Sequence, residues 1–242
     1  MKFVLPIFGL FLSFFAPFLV AQEADVQTSQ PTIEGIKAAL ASNSLTDQER
    51  VEKLHEIGQL FFDQPDSTVF YLSKALELSK RINDSVLISD TYINFSLVDL
   101  FRDNYDNTLK YNDSATQYLN SKNRDHLLNL GVAATLKGIA YNNNEQMDQA
   151  FENILRANRF LNEAPVDEVS QNYLVQNYSD LSLIYFNIEE YTNAINSAKQ
   201  ALGKAKSIGA THHQADIYNT LATAYMELEE YALAEVYLDS SA

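Results

Sequence analysis

Eight positions near the end of this chain recur at a fixed shift of 40 residues. Tyr178, Leu181, Ser182, Tyr185, Glu189, Glu190, Tyr191 and Ala194 return as Tyr218, Leu221, Ala222, Tyr225, Glu229, Glu230, Tyr231 and Ala234, with Ser182 to Ala222 the one change. Such self-similarity constrains the fold more than any other property. Each copy is one supersecondary unit that cannot bury its apolar face alone, so the copies must stack.

The spacing inside a copy says what the unit is. Tyr178, Leu181, Ser182 and Tyr185 fall at i, i+3, i+4 and i+7, one face of a helix. Tyr191, Ala194, Ala198 and Ala201 make a second helical stripe. Between them Asn187-Ile188-Glu189-Glu190 marks a turn, with carboxylates at the next helix start, where the macrodipole favours them. Two helices joined this briefly form an antiparallel hairpin. The small residues let the helices approach, and the tyrosines fill the volume beside them.

Earlier segments carry the pattern with more decay. Ala134, Lys137, Gly138 and Tyr141 precede Met147, Ala150, Ile154 and Ala157. Tyr92, Phe95 and Ser96 precede Tyr105, Thr108 and Ala115. Leu54, Ile57, Gly58 and Phe61 precede Phe70 and Ala75, with a tighter turn at Gln64-Pro65-Asp66. These residues predict five hairpins over approximately 47–83, 84–124, 125–164, 167–208 and 210–242. Only 7 Gly and 5 Pro interrupt them.

Boundary chemistry agrees. Thr46-Asp47-Gln48-Glu49 reads as a capping box. Asp84, Asp125 and Asp167 with Glu168 stand at first-helix starts, and Lys80 with Arg81 and Lys204 with Lys206 near second-helix ends. Gly209 reads as a helix stop, Pro165 as the mark of the longest loop, and Asn142-Asn143-Asn144 as a turn. Residues 22–45 precede the array and contain a short helical pattern, Ile33–Ala41, a candidate cap.

The aromatic-x-x-Leu-small-x-x-Tyr helix followed by Tyr-x-x-Ala and a further Ala resembles the tetratricopeptide repeat. The resemblance covers roughly residues 47–241. Two positions depart from it: Lys137 replaces the usual Leu, and Asp99 the second aromatic of its helix. Armadillo and HEAT repeats have similar periods but do not ask for Tyr-x-x-Ala in each second helix. The resemblance implies an all-α superhelical solenoid of about five hairpins, with first helices lining an inner face that binds peptides. The lining residues would be His55, Gln59 and Phe62; Asp90, Ile93, Leu97 and Phe101; Thr135, Ile139 and Asn142; Gln176, Ser179, Leu183 and Phe186; and Asp216, Asn219, Thr223 and Met226. They hold no Lys or Arg, so an acidic peptide tail is not the expected ligand. A protein or peptide of basic or amphipathic character is.

At the front, Lys2 is followed by an apolar run from Phe3 to Val20 broken only by Ser13, and Ala21 gives way to Gln22 and Glu23. This reads as a signal peptide, residues 1–21, and an exported, periplasmic or secreted product. The alternative is an uncleaved anchor, which Pro6 and Pro17 would weaken. The final residues stop inside a second helix at Ala242. A signal sequence with elongated repeats also resembles the sensory outer regions of some bacterial histidine kinases, diguanylate cyclases and transcription regulators. The alternative expectation is therefore a ligand-binding sensor region truncated at Ala242.

Composition narrows the chemistry. A formal net charge of -15 argues against nucleic acid and anionic lipid. Cysteine is absent, which excludes disulfides and thiolate sites. His55, His126, His212 and His213 form no H-E-x-x-H, and neighbouring His212 and His213 would point about 100° apart on a helix, a poor chelate. No phosphate loop or G-x-S-x-G occurs. No enzyme activity, cofactor or metal is expected. Four N-x-S/T triplets, at Asn83, Asn94, Asn112 and Asn177, fall mostly inside predicted helices and read as chance.

Overall fold

A computed structural model describes residues 32–241 except 43, 62 and 63. The expected signal peptide lies outside the described residues. Those residues are helical, with no strand among them. The helices are α1 (Ile33–Ala41), α2 (Asp47–Leu60), α3 (Pro65–Ile82), α4 (Ser85–Leu100), α5 (Tyr105–Thr116), α6 (Leu127–Asn143), α7 (Met147–Glu163), α8 (Glu168–Asn187), α9 (Tyr191–Ile208), α10 (Gln214–Glu227) and α11 (Tyr231–Ser241). From α2 onward they alternate as first and second helices of five hairpins, as the repeat demands. The chain gathers into two compact units, residues 32–153 and 154–241 among those described.

In the first unit α2 packs on α3 and α4 on α5, while α3 also packs on α4 and α5 on α6. First helices α2, α4 and α6 are neighbours in turn. In the second unit α8 packs on α9 and α10 on α11, α9 also meets α10, and α8 lies beside α10. Second helices α3, α5 and α9 are thus each held between the first helix of their own copy and that of the next. One cluster of the first unit joins Val51, Leu54, Ala75, Leu78 and Leu87. The second unit has a continuous core through Val175, Ala194, Ala198, Ala201, Ile217, Leu221 and Tyr225.

The hairpin contact is as close as the small residues allow. A Cβ on Gly58 would lie 3.1 Å from Leu72 Cδ2. Ser96 Oγ accepts a hydrogen bond from Asn112 Nδ2 at 2.6 Å, and Ser182 Oγ donates to the Ala194 carbonyl at 2.8 Å. In the first hairpin the sequence pointed to Phe70 as a core ring, but Phe70 is exposed. Thr68 takes the place held by Thr108, Ala150, Ala194 and Ala234 in later copies, fully buried with its hydroxyl donating to the Phe61 carbonyl at 2.6 Å. Phe70 lies two residues further along α3, which turns it away from that buried face.

The turns within the last four hairpins are alike. Asp103, Glu145, Glu189 and Glu229 each adopt the left-handed region, φ 56 to 66. The next amide bonds back five residues: Asn104 to Asp99, Gln146 to Tyr141, Glu190 to Tyr185, Glu230 to Tyr225, at 2.8–2.9 Å. This is the Schellman closure, which satisfies first-helix carbonyls. In the asparagine run it is Glu145, one residue later, that takes the left-handed place, since α6 continues to Asn143. Gly209 and Asn83 close second helices in the same conformation. Thr46 with Glu49 forms the capping box, and Asp84 and Asp167 cap α4 and α8. Asp125 lies inside a 3-10 turn, Arg124–His126, ahead of α6, and Asn123 caps that turn. The stretch joining α5 to α6 is longer than the one holding Pro165.

Candidate functional site

The residues expected on the first-helix faces divide by exposure. Gln59, Asp216, Asn219 and Met226 are exposed, and Asp90, Leu97, Phe101, Asn142, Leu183 and Thr223 are half-buried. His55, Ile93, Thr135, Ile139, Gln176, Ser179 and Phe186 are buried. Phe62 lies outside the described residues.

Several of these side chains tie helices to one another. His55 Nε2 lies 2.7 Å from Thr91 Oγ1, whose own proton goes to the Leu87 carbonyl at 2.7 Å. On the other side of the ring, Nδ1 stands 3.2 Å from Asp90 Oδ2. One helical turn on, Gln59 Nε2 donates to Asn94 Oδ1 at 2.9 Å. Together these bonds stitch α2 to α4. Thr135 and Ser179 return their hydroxyls to carbonyls one turn back, Gly131 and Val175. Phe186 packs edge-on to Tyr191, centroids 5.4 Å apart.

The second unit holds a group that sequence reasoning passed over. Asp180 of α8 is buried, accepts from Gln176 Nε2 at 3.0 Å, and has no hydrogen-bond partner for Oδ2. Burial pushes its carboxyl up to about 7, with Gln176 opposing. Asn177 and Asn158 are buried in the same unit, and their amides have no hydrogen-bond partner. The signal available was an acid in the middle of a helix, away from the ends where other carboxylates fall. Asp216 at the start of α10 is also raised by partial desolvation.

The departures from the repeat have partners. Lys137, where a Leu is expected, reaches Asp113 of α5 at 2.7 Å. Asp99, in an aromatic's place, is raised by desolvation. His126 Nδ1 accepts from the Asn120 amide at 2.9 Å, and His213 is buried at the start of α10. Asn94, Asn112 and Asn177 of the four triplets are buried, closed to a glycan in the folded chain. Among the described residues no three His, Asp or Glu converge as a metal site would require, and no helix is long and apolar enough to cross a membrane.

Comparison with solved structures places this geometry. BtubC (BKLC) from P. vanneervenii matches with a TM-score of 0.69 and 13% identity over 86% of this chain and 85% of that one. The apo form of RapI matches with a TM-score of 0.65 and 14% identity, over 86% of this chain. The fold is that of the tetratricopeptide-type helical repeat. The match spans 57% of RapI's own length. No protein-family model matches the chain, and no curated protein matches it in sequence. At these identities the likeness concerns the tetratricopeptide-type hairpin and its stacking, not what the array holds.

Proposed function

We propose that this chain is a non-catalytic repeat scaffold that binds a protein or peptide along its first-helix faces and works outside the cytoplasm. The observation that carries the binding reading is the stripe on α10. Asp216, Asn219, Thr223 and Met226 succeed one another at helical spacing, with Asp216, Asn219 and Met226 exposed and Thr223 half-buried between them. Leu183 of neighbouring α8 is half-buried beside this helix pair. Acid, amide, hydroxyl and thioether on one face suit an extended peptide or an amphipathic helix, with methionine supplying adaptable apolar contact. Gln59, Asp90, Leu97, Phe101 and Asn142 supply the same mixture in the first unit.

The test is selection of displayed peptides on the full chain, followed by titration. Asn219→Ala with Met226→Ala removes solvent-facing groups, so the melting temperature should hold while affinity for the selected peptide falls about tenfold. Undiminished affinity would exclude this face. Export rests on residues 1–21, whose charged start, apolar run and small residue before Gln22 fit a cleaved leader. Mass spectrometry of protein recovered from the envelope of an expressing bacterium should find Gln22 as the first residue. Recovery of intact Met1 in the cytoplasm would refute it.

A further inference from the structure

The last hairpin departs from the repeat on the side it turns outward. Helices α9 and α11 are second helices of consecutive copies, so each α11 residue has a counterpart 40 positions earlier. On α9 the exposed face is Thr192, Asn193, Asn196, Lys199 and Gln200. On α11 the counterparts of Thr192, Asn193 and Asn196 are Ala232, Leu233 and Val236. Leu233 is 41% exposed and Val236 57%, and nearby Tyr231 is 65% exposed. Apolar residues thus stand where the preceding copy keeps amides in water.

This exposure is independent of any helix beyond α11. Helix α10 packs on α9, yet Asn193 and Asn196 remain exposed. A further helix laid on α11 as α10 lies on α9 would leave Leu233 and Val236 outside in the same way. The face is outward by its register.

Charge selects the occupant. From Gln214 to Ser241 the hairpin carries Asp216, Glu227, Glu229, Glu230, Glu235 and Asp239, and no Lys or Arg. Lys199 of α9 reaches the Tyr225 ring, 5.4 Å from its centroid, and feels Glu230. Around the apolar pair, Glu229 stands in the turn that precedes α11, Glu235 adjoins Val236, and Asp239 comes one turn after Val236. A second copy would bring the same carboxylates against them, and an anionic bilayer would do likewise. A helix with an apolar stripe and flanking Lys or Arg meets both features at once.

We infer that the outward face of α11 docks a basic amphipathic helix, the stripe seating on Leu233 and Val236 and the cations on Glu229, Glu235 and Asp239. This surface is separate from the first-helix face proposed above. The probe is a labelled 18-residue peptide of Leu and Lys with its leucines at helical spacing, titrated by anisotropy against the full chain. Saturable binding is expected, and it should weaken about tenfold in the double variant Leu233→Asn, Val236→Asn. That variant installs the residues α9 already carries, so helix content and melting should hold, and its charge is unchanged. A Leu/Glu peptide of the same pattern should not bind. Equal binding by the wild-type chain and the Leu233/Val236 variant would reduce the effect to bulk charge and overturn the inference, as would no binding. A wild-type dimer that the same variant dissociates, seen by sedimentation, would assign the face to a second copy and overturn it too.

Discussion

Asp180 gives this fold a pH dependence through one side chain. Its carboxyl is raised to about 7 by burial, against 3.8 for the free group. Below the lower value the folded and unfolded chains both carry the proton. Between the two, only the folded chain does, so stability falls as pH climbs through this window and is fully reduced above pH 7. The shift corresponds to a ceiling of about 4 kcal/mol. Asp180→Asn should leave the melting temperature at pH 4 unchanged and raise it at pH 8. Parallel pH profiles for variant and wild type would show that the carboxyl is relieved some other way. A second residue-scale effect sits in the turns. Glu145 adopts φ 59, a region that costs a side-chain-bearing residue roughly 1–2 kcal/mol. Glu145→Gly should stabilise the protein by about 0.5–1 kcal/mol in urea unfolding, after the glycine's greater freedom in the unfolded chain is subtracted.

A hairpin depends on how closely its two helices pass. Ala194 is fully buried, and its carbonyl receives the Ser182 hydroxyl. Ala194→Leu has no room for the added atoms and should cost roughly 1–3 kcal/mol, read as an earlier urea midpoint. Helix ends matter in the same register. The Asp84 carboxylate accepts from the Val86 and Leu87 amides, both at 3.0 Å, so Asp84→Ala should cost about 1 kcal/mol. Both sites were visible from spacing, because period and capping are local. The buried Thr68 was not. Later copies open their second helices on Tyr105, Met147, Tyr191 and Tyr231, whereas α3 opens on Pro65, which hides the register that turns Thr68 inward.

The whole chain carries a net charge of -15, and its described ion pairs are few. Each of them has at least one partly exposed partner and contributes little. Mutual repulsion of carboxylates should therefore weaken the fold at low ionic strength. Raising sodium chloride from 10 to about 150 mM, where the screening length shortens to about 8 Å, should raise the melting temperature. A fall would mean that specific ion pairs outweigh repulsion. The same charge, with no Lys or Arg among the first-helix residues, predicts that a Glu/Asp-rich tail peptide fails to bind at millimolar concentration. Tight, salt-sensitive binding of such a tail would refute that.

The amino-acid order alone determined the helical hairpin, its five-fold repetition, most of its caps and the small residues at its crossings. All of these come from interactions between residues a few places apart, repeated at a fixed period. What only the tertiary structure decided is which first-helix residues remain open to a partner. Thr135, Ile139, Gln176 and Ser179 occupy the same register positions as residues that stay exposed elsewhere, such as Asp216 and Asn219. Their burial, and the pairing of His55 with Thr91 across 36 residues, depend on how one copy meets another. The helical period says which way a side chain points from its own axis, but not what stands opposite it.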